Sequence, residues 1–153
     1  MFPLPRRRKP AILRPTLNIR LQFGPHGNWR LRALVDTGAP ITFFDRGAGE
    51  AIGIRFGHSG AETATIKIFG GTRPIQFEHV VLALNDYPEV TWDARVAFVT
   101  DPTFQMPFQG VLGTQGFQDR FAVVFNAYYN YFIVHPADAW HDATGATYSA
   151  GLS

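Results

Sequence analysis

Residues 16–23 alternate without a fault. Leu17, Ile19, Leu21 and Phe23 take one face, and Asn18, Arg20 and Gln22 take the other. A period of two marks a strand with one face in a core and one in water. Gly24-Pro25-His26-Gly27-Asn28 is turn chemistry. Trp29, Leu31 and Ala33 then alternate with Arg30 and Arg32, which predicts the return strand of a hairpin. At Leu34-Val35 the alternation stops, so this strand passes from one buried face to two as it reaches Asp36.

Further along, Ile41-Thr42-Phe43-Phe44 predicts a short strand. Residues 45–54 suit a brief helix, with Asp45 as N-cap and Ala48, Ala51 and Ile52 turned inward. Gly47, Gly49 and Gly53 weaken it. Residues 64–69 and 75–84 read as the strands of a second hairpin, joined by Gly70-Gly71-Thr72-Arg73-Pro74. A strand centred on residues 95–99 follows, then a loop over 101–109 that contains Pro102 and Pro107. Val111-Leu112-Gly113 is a short apolar strand end, and Thr114 can cap a helix through about Phe121. Residues 122–125 and 131–134 form a last hairpin around 126–130, where Asn tolerates a left-handed turn. Past His135 the sequence is small and polar, and weak packing is expected there. No internal repeat is visible.

At 153 residues the chain suits one domain with a real core. Its 15 glycines and 11 prolines are spread along the length, so many short elements are joined by turns, and a mostly β fold is expected. The organisation this implies is a basic arm over 1–15, a domain over 16–136 and a tail over 137–153.

The net charge is +2, but four of the basic residues form Arg6-Arg7-Arg8-Lys9, and subtracting them leaves −2. The body is then near neutral, and no nucleic-acid partner is expected from it. A basic run beside Pro3, Pro5 and Pro10 reads as a solvated tail, with attachment to an anionic surface as the sharper alternative. Without cysteine there are no disulfides or thiolate metal sites. The longest apolar runs are far too short to span a membrane, and Ala11-Ile12-Leu13 is too short for a signal-peptide core. The expectation is a soluble, cytoplasmic protein.

The chemistry concentrates at Asp36-Thr37-Gly38-Ala39. An apolar strand here delivers a carboxylate, a hydroxyl and a glycine into one tight turn. Glycine permits the bend, the apolar flanks lower the dielectric around Asp36, and the Thr37 hydroxyl can bond a neighbouring backbone group. The plain alternative is a turn carboxylate satisfied by backbone N–H groups. Asp45, Asp86, Asp93, Asp101 and Asp119 lack this setting and suit capping or solvated roles. The five histidines show no metal-ligand spacing. Gly57-His58-Ser59-Gly60 only approaches a nucleophile elbow, which needs glycine where Ala61 stands. Tyr128-Tyr129-Asn130-Tyr131-Phe132 lacks interleaved basic residues, so packing or an interface is preferred to base stacking.

Leu34-Val35-Asp36-Thr37-Gly38-Ala39 resembles the active-site loop of the retropepsin-like aspartic proteases. Val111-Leu112-Gly113 with a helix after it resembles that family's second signature, and residues 122–134 are similar to the closing strands of its single-lobe bacterial members. The likeness covers about residues 16–136. It implies an all-β, closed barrel-like fold with one or two short helices, in which each chain holds half an active site. The implied activity is aspartic endopeptidase hydrolysis, with no cofactor and no metal. A homodimer would pair two Asp36 carboxylates around one water and one shared proton. Thr37 would lock the two loops together, and Gly38 would let the backbone approach the water. Ala39 would contact substrate. Phe69, Gly70, Gly71 and Thr72 would form a flap tip over a peptide or protein substrate, although an ordinary hairpin turn reads the same locally. Pro40 departs from the pattern, because it has no N–H to offer a peptide. A non-catalytic binding or scaffold module on the same fold is the alternative.

Overall fold

The computed structural model describes residues 14–25, 27–68 and 70–137. The run Arg6–Lys9, His26, Phe69 and the tail from 138 onward lie outside the described residues. Among the described residues, nine strands and one short helix follow in order. They are β1 (Thr16–Gln22), β2 (Asn28–Val35), β3 (Phe43–Phe44), α1 (Arg46–Ala51), β4 (Glu62–Ile68), β5 (Gly71–Leu84), β6 (Thr91–Val99), β7 (Gly110–Leu112), β8 (Phe121–Asn126) and β9 (Tyr131–Pro136).

Six strands close into a barrel in the order β1-β2-β7-β3-β6-β5, and β5 returns to β1. The all-β, closed barrel-like architecture with little helix is therefore present. The length of β5 makes closure possible. Its 14 residues pair with β6 along one edge from Ile75 to Ala83. Along the other edge they pair first with β4, from Gly71 to Phe77, and then with β1, from Val81 to Leu84. β4 is thus a spur on the barrel rather than part of its wall. Closure leaves few free edges on the barrel itself.

The alternation read in β1 and β2 is what the barrel uses. Ile19, Leu21, Leu31, Ala33 and Val35 point into the main core, and Asn18, Arg30 and Arg32 point out. Trp29 sits at the barrel's end, 40% exposed, with Nε1 donating to Gln109 Oε1 at 3.1 Å. The strands near Asp36 bury both faces, because two apolar clusters lie on either side of them. Val35, Phe44, Phe98 and Leu112 join the main core. Their neighbours Leu34, Phe43, Ala97, Val99 and Val111 belong to a second cluster with Ile75 and Phe104. A strand between two apolar layers has no polar side to show, which is why alternation fails there.

Helix α1 begins at its expected cap, with Asp45 Oδ1 accepting from Ala48 N at 2.9 Å. Burial holds the Asp45 carboxyl above the usual range, against that hydrogen bond. Ala48 and Ile52 are buried, but Ala51 is exposed, contrary to expectation. The second hairpin is tighter than its sequence suggests. Ile68 pairs with Gly71, and Arg73 and Pro74 lie inside β5 rather than in the turn. Pro74 fits because its carbonyl accepts from Thr100 N at 3.1 Å, while pairing with Thr65 needs no N–H from it.

No helix forms over 114–121. The segment is a run of turns, with Gln118 N reaching Gly113 O and Asp119 N reaching Thr114 O. Two local facts prevent the helix. Gly116 takes φ +97°, outside helical space. Gln115 spends its backbone groups elsewhere, donating to Pro40 O at 3.0 Å and accepting from Thr42 N at 2.9 Å. The turns still bury Phe117, which meets Trp92 and Phe121 at ring-centroid distances of 6.0 and 5.1 Å. Trp92 Nε1 donates to Gly116 O at 2.8 Å.

The last hairpin forms as expected, with Asn130 at φ +56° in its turn. Tyr128 and Tyr129 stand exposed at its tip. Among the described residues no helix is long and apolar enough to cross a membrane.

One pairing is invisible along the chain. His58 Nε2 lies 2.9 Å from Glu78 Oε1, and Glu78 also accepts from the buried Gln76 at 2.9 Å. Gln76 in turn accepts from Gly57 N and donates to Arg55 O, so the 55–58 loop hangs from β5. The Ser59 carbonyl, and then Glu78, hold the His58 ring above the ordinary imidazole range of 6.5. A raised folded-state value stabilises the fold while the ring is protonated, and that contribution fades as pH rises through the folded value. The stability lost on His58→Gln, followed by urea unfolding, should therefore be larger near about pH 5.5 than near about pH 8. Trp92→Phe should cost about 1–2 kcal/mol in the same measurement, because it orphans a buried carbonyl.

Candidate active site

Asp36 leaves the end of β2 at the point where three strands meet. Its N–H donates to Leu112 O at 3.1 Å, which ties the loop to β7. The turn closes when Ala39 N donates to Asp36 O at 3.2 Å. Asp36 Oδ1 accepts from Gly38 N at 2.9 Å, which sets the direction of the carboxylate. The residue is half-buried, Thr37 and Gly38 are exposed and Ala39 is buried. The Thr37 hydroxyl makes no hydrogen bond to the described residues.

The loop is braced from beneath by a crossing of two backbones. Thr114 N donates to Ala39 O at 2.8 Å, and Ile41 bridges to Gln115. At the centre of the crossing is Gly113. A Cβ there would lie 2.3 Å from Ile41 O and 2.7 Å from Ala39 O, so no side chain fits. Gly113 N donates to the Thr42 hydroxyl at 3.0 Å. Thr42 is fully buried, and its carbonyl accepts from Ala97 N at 3.0 Å. A polar residue at 42 inside an apolar run was the one trace of this role in the sequence. Gln118 left no trace. Its Nε2 donates to Asp36 O at 2.8 Å and Leu112 O at 3.4 Å, fastening both halves of the loop's support.

Above the turn lies a cleft of about 370 Å³. Asp36, Gly38, Ala39 and Pro40 form one wall, and Ile66, Lys67 and Ile68 of β4 form the other. Ile41, Phe43 and Val111 make an apolar floor. Asp36 is the one carboxylate among the described residues that line it. Gly70, Gly71 and Thr72 are at the end of the β4–β5 hairpin and border a separate hollow with Lys67 and Ile68. Phe69, expected at that tip, is outside the described residues. The hollow between 14–16 and the β8–β9 hairpin holds no carboxylate.

Two other acids, Asp101 and Asp119, are engaged elsewhere. Asp101 accepts from Thr103 and from Arg73, which together hold its carboxyl below the usual range. Asp119 Oδ1 accepts from Gly116 N at 3.2 Å. Among the described residues no group of three or more potential ligands could hold a metal ion. A lone, oriented carboxylate over an apolar floor can take or hold one proton beside an extended ligand. It cannot by itself act as base and acid in the same step.

Gly113→Ala should cost about 3 kcal/mol in urea unfolding, because both clashing atoms are backbone and cannot turn aside.

No family model and no curated protein matches this chain. Among solved structures the chain is similar to the protease of EIAV complexed with the inhibitor HBY-793, at 17% identity, over 68% of this chain and 85% of that one, with a TM-score of 0.49.

Proposed function

We propose that this chain is an aspartic endopeptidase that acts as a homodimer, with Asp36 of each copy forming the catalytic pair. One observation carries the reading: Asp36 is oriented by its own turn, braced by the segment that crosses beneath it, and is the one carboxylate among the described residues lining an apolar cleft. Two carboxylates at hydrogen-bonding distance cannot both ionise, so the pair shares a proton. The ionised partner draws a proton from water as the water attacks the peptide carbonyl. The protonated partner donates to the carbonyl oxygen.

The surroundings support this assignment. Thr37 is exposed and has no hydrogen-bond partner among the described residues, which suits a bond to the second copy's loop. Gly38 keeps the space beside the carboxylate open, since a Cβ there would lie 3.3 Å from Asp36 Oδ1. Ala39 and the β4 wall would hold an extended substrate. The hairpin tip, with Phe69, Gly70, Gly71 and Thr72, would close over it and exclude water.

A second reading, a non-catalytic binding module, is favoured by Pro40. It lines the cleft and has no N–H with which to bind a peptide backbone.

The two readings separate in one experiment on apolar peptide substrates. Asp36→Asn should lower kcat/KM by at least about 100-fold, the scale of a lost acid–base group, with an unchanged melting profile. Adding Asp36→Asn chain to the parent should depress activity below simple dilution, because mixed pairs are inactive. Activity equal to the parent's in the Asn variant, or a parent that binds peptide without cleaving it, would sink the catalytic reading.

A further inference from the structure

The net charge of +2 hides a division along the chain. Residues before Asp36 hold eight of the fourteen basic side chains and none of the twelve acidic ones. From Asp36 onward there are six basic against twelve acidic. The excess does not end with the run at 6–9, because the fold carries it onto one face of the barrel.

In the β1–β2 ribbon Arg20 stands directly across from Arg30, and Arg32 stands across from Asn18. Ile19, Leu21, Leu31 and Ala33 occupy the inward positions and are buried, so the arginines face outward. Like charges directly opposed in a ribbon destabilise it. No described residue offsets the repulsion. Arg20 and Arg30 make no hydrogen bond or ion pair with a described residue, and the polar contact of Arg32 is to the Thr16 hydroxyl at 2.9 Å. Across β1, Arg20 faces Ala83 and Gln22 faces Val81. The carboxylate on that row is Asp93, beyond Val81 and in line with Gln22 rather than with Arg20.

We propose that the outer face of β1–β2, through Arg20, Arg30 and Arg32, binds the phosphate backbone of a nucleic-acid duplex without reading its sequence. Guanidinium forks suit phosphate oxygens, and Arg30 and Arg32 repeat at two-residue intervals, roughly 6.8 Å apart on an extended strand. Beside them on that face are Asn18, Gln22 and Asn28, all exposed and all able to donate to phosphate or sugar, while Leu34 at the Asp36 end is packed against the second cluster. Those exposed positions carry no aromatic ring to stack on unpaired bases and no aliphatic chain to enter a lipid layer. This reverses the expectation drawn from net charge, which averages over faces that the fold separates. It does not depend on the chain being a peptidase.

The test is fluorescence anisotropy of labelled, random-sequence DNA and RNA duplexes of roughly 20 base pairs, titrated with the full chain at several salt concentrations. The parent should bind, with log K falling linearly as log salt rises; the tighter duplex identifies the source. Replacing Arg20, Arg30 and Arg32 together by Gln should weaken binding at least about tenfold and flatten that slope by two to three. Replacing the same three by Lys keeps the charge and should keep the slope. Circular dichroism establishes that both variants fold. The proposal is overturned if the Gln variant binds as the parent does, or if the parent ignores both duplexes. It is equally overturned if the parent prefers polyglutamate or phosphatidylserine vesicles to either duplex.

Discussion

Two backbones pass closer at Gly113 than any side chain would allow, and the rest of the site depends on that approach. The loop that carries Asp36 rests on the segment that follows β7, through Thr114 N to Ala39 O and Gln115 N to Pro40 O. Both bonds require the chains to be in near contact. A Cβ at 113 would collide with Ile41 and Ala39 carbonyl atoms, so the hydrogen bonds and the side chain are mutually exclusive. Thr42 then satisfies the glycine's N–H within a dry interior, where an orphaned donor would be costly.

The same crossing accounts for the two-cluster core. Where β2, β3, β6 and β7 meet beneath the turn, their residues are apolar on both faces, so the carboxylate stands on a packed platform. Gln118 completes it by holding the carbonyls of Asp36 and Leu112 together. A platform of this kind fixes where a carboxylate points while leaving its solvent side open, and half-burial of Asp36 is that compromise. On the proposed reading the open side is where a second copy completes the acid–base pair.

Much of this was legible along the chain, for reasons that can be named. The alternation of β1 and β2 survives because one side of each meets water. Its failure at Leu34-Val35 marked the strand between two layers. Asp45 as a cap and Asn130 in a left-handed turn are local effects, settled within a few residues. The helix that Thr114 predicts does not form. Capping chemistry at one residue could not reveal that Gln115 would give its N–H to Pro40, or that Gly116 would leave helical space. Helical spacing turns Ala51 inward, but the six-residue helix buries Ala48 and Gly49 and leaves Ala51 exposed.

The residue pattern alone determined the strands, their turns and the carboxylate held in a glycine turn at the end of an apolar run. These rest on periodicity and on backbone conformation, which act between near neighbours. Only the tertiary structure decided the partnerships across long separations: Gly113 beneath Ala39 and Ile41, Gln118 on Asp36, His58 on Glu78, and Arg20 against Arg30. Such contacts follow from barrel closure and strand register, and neither is encoded in the order of residues within any one segment.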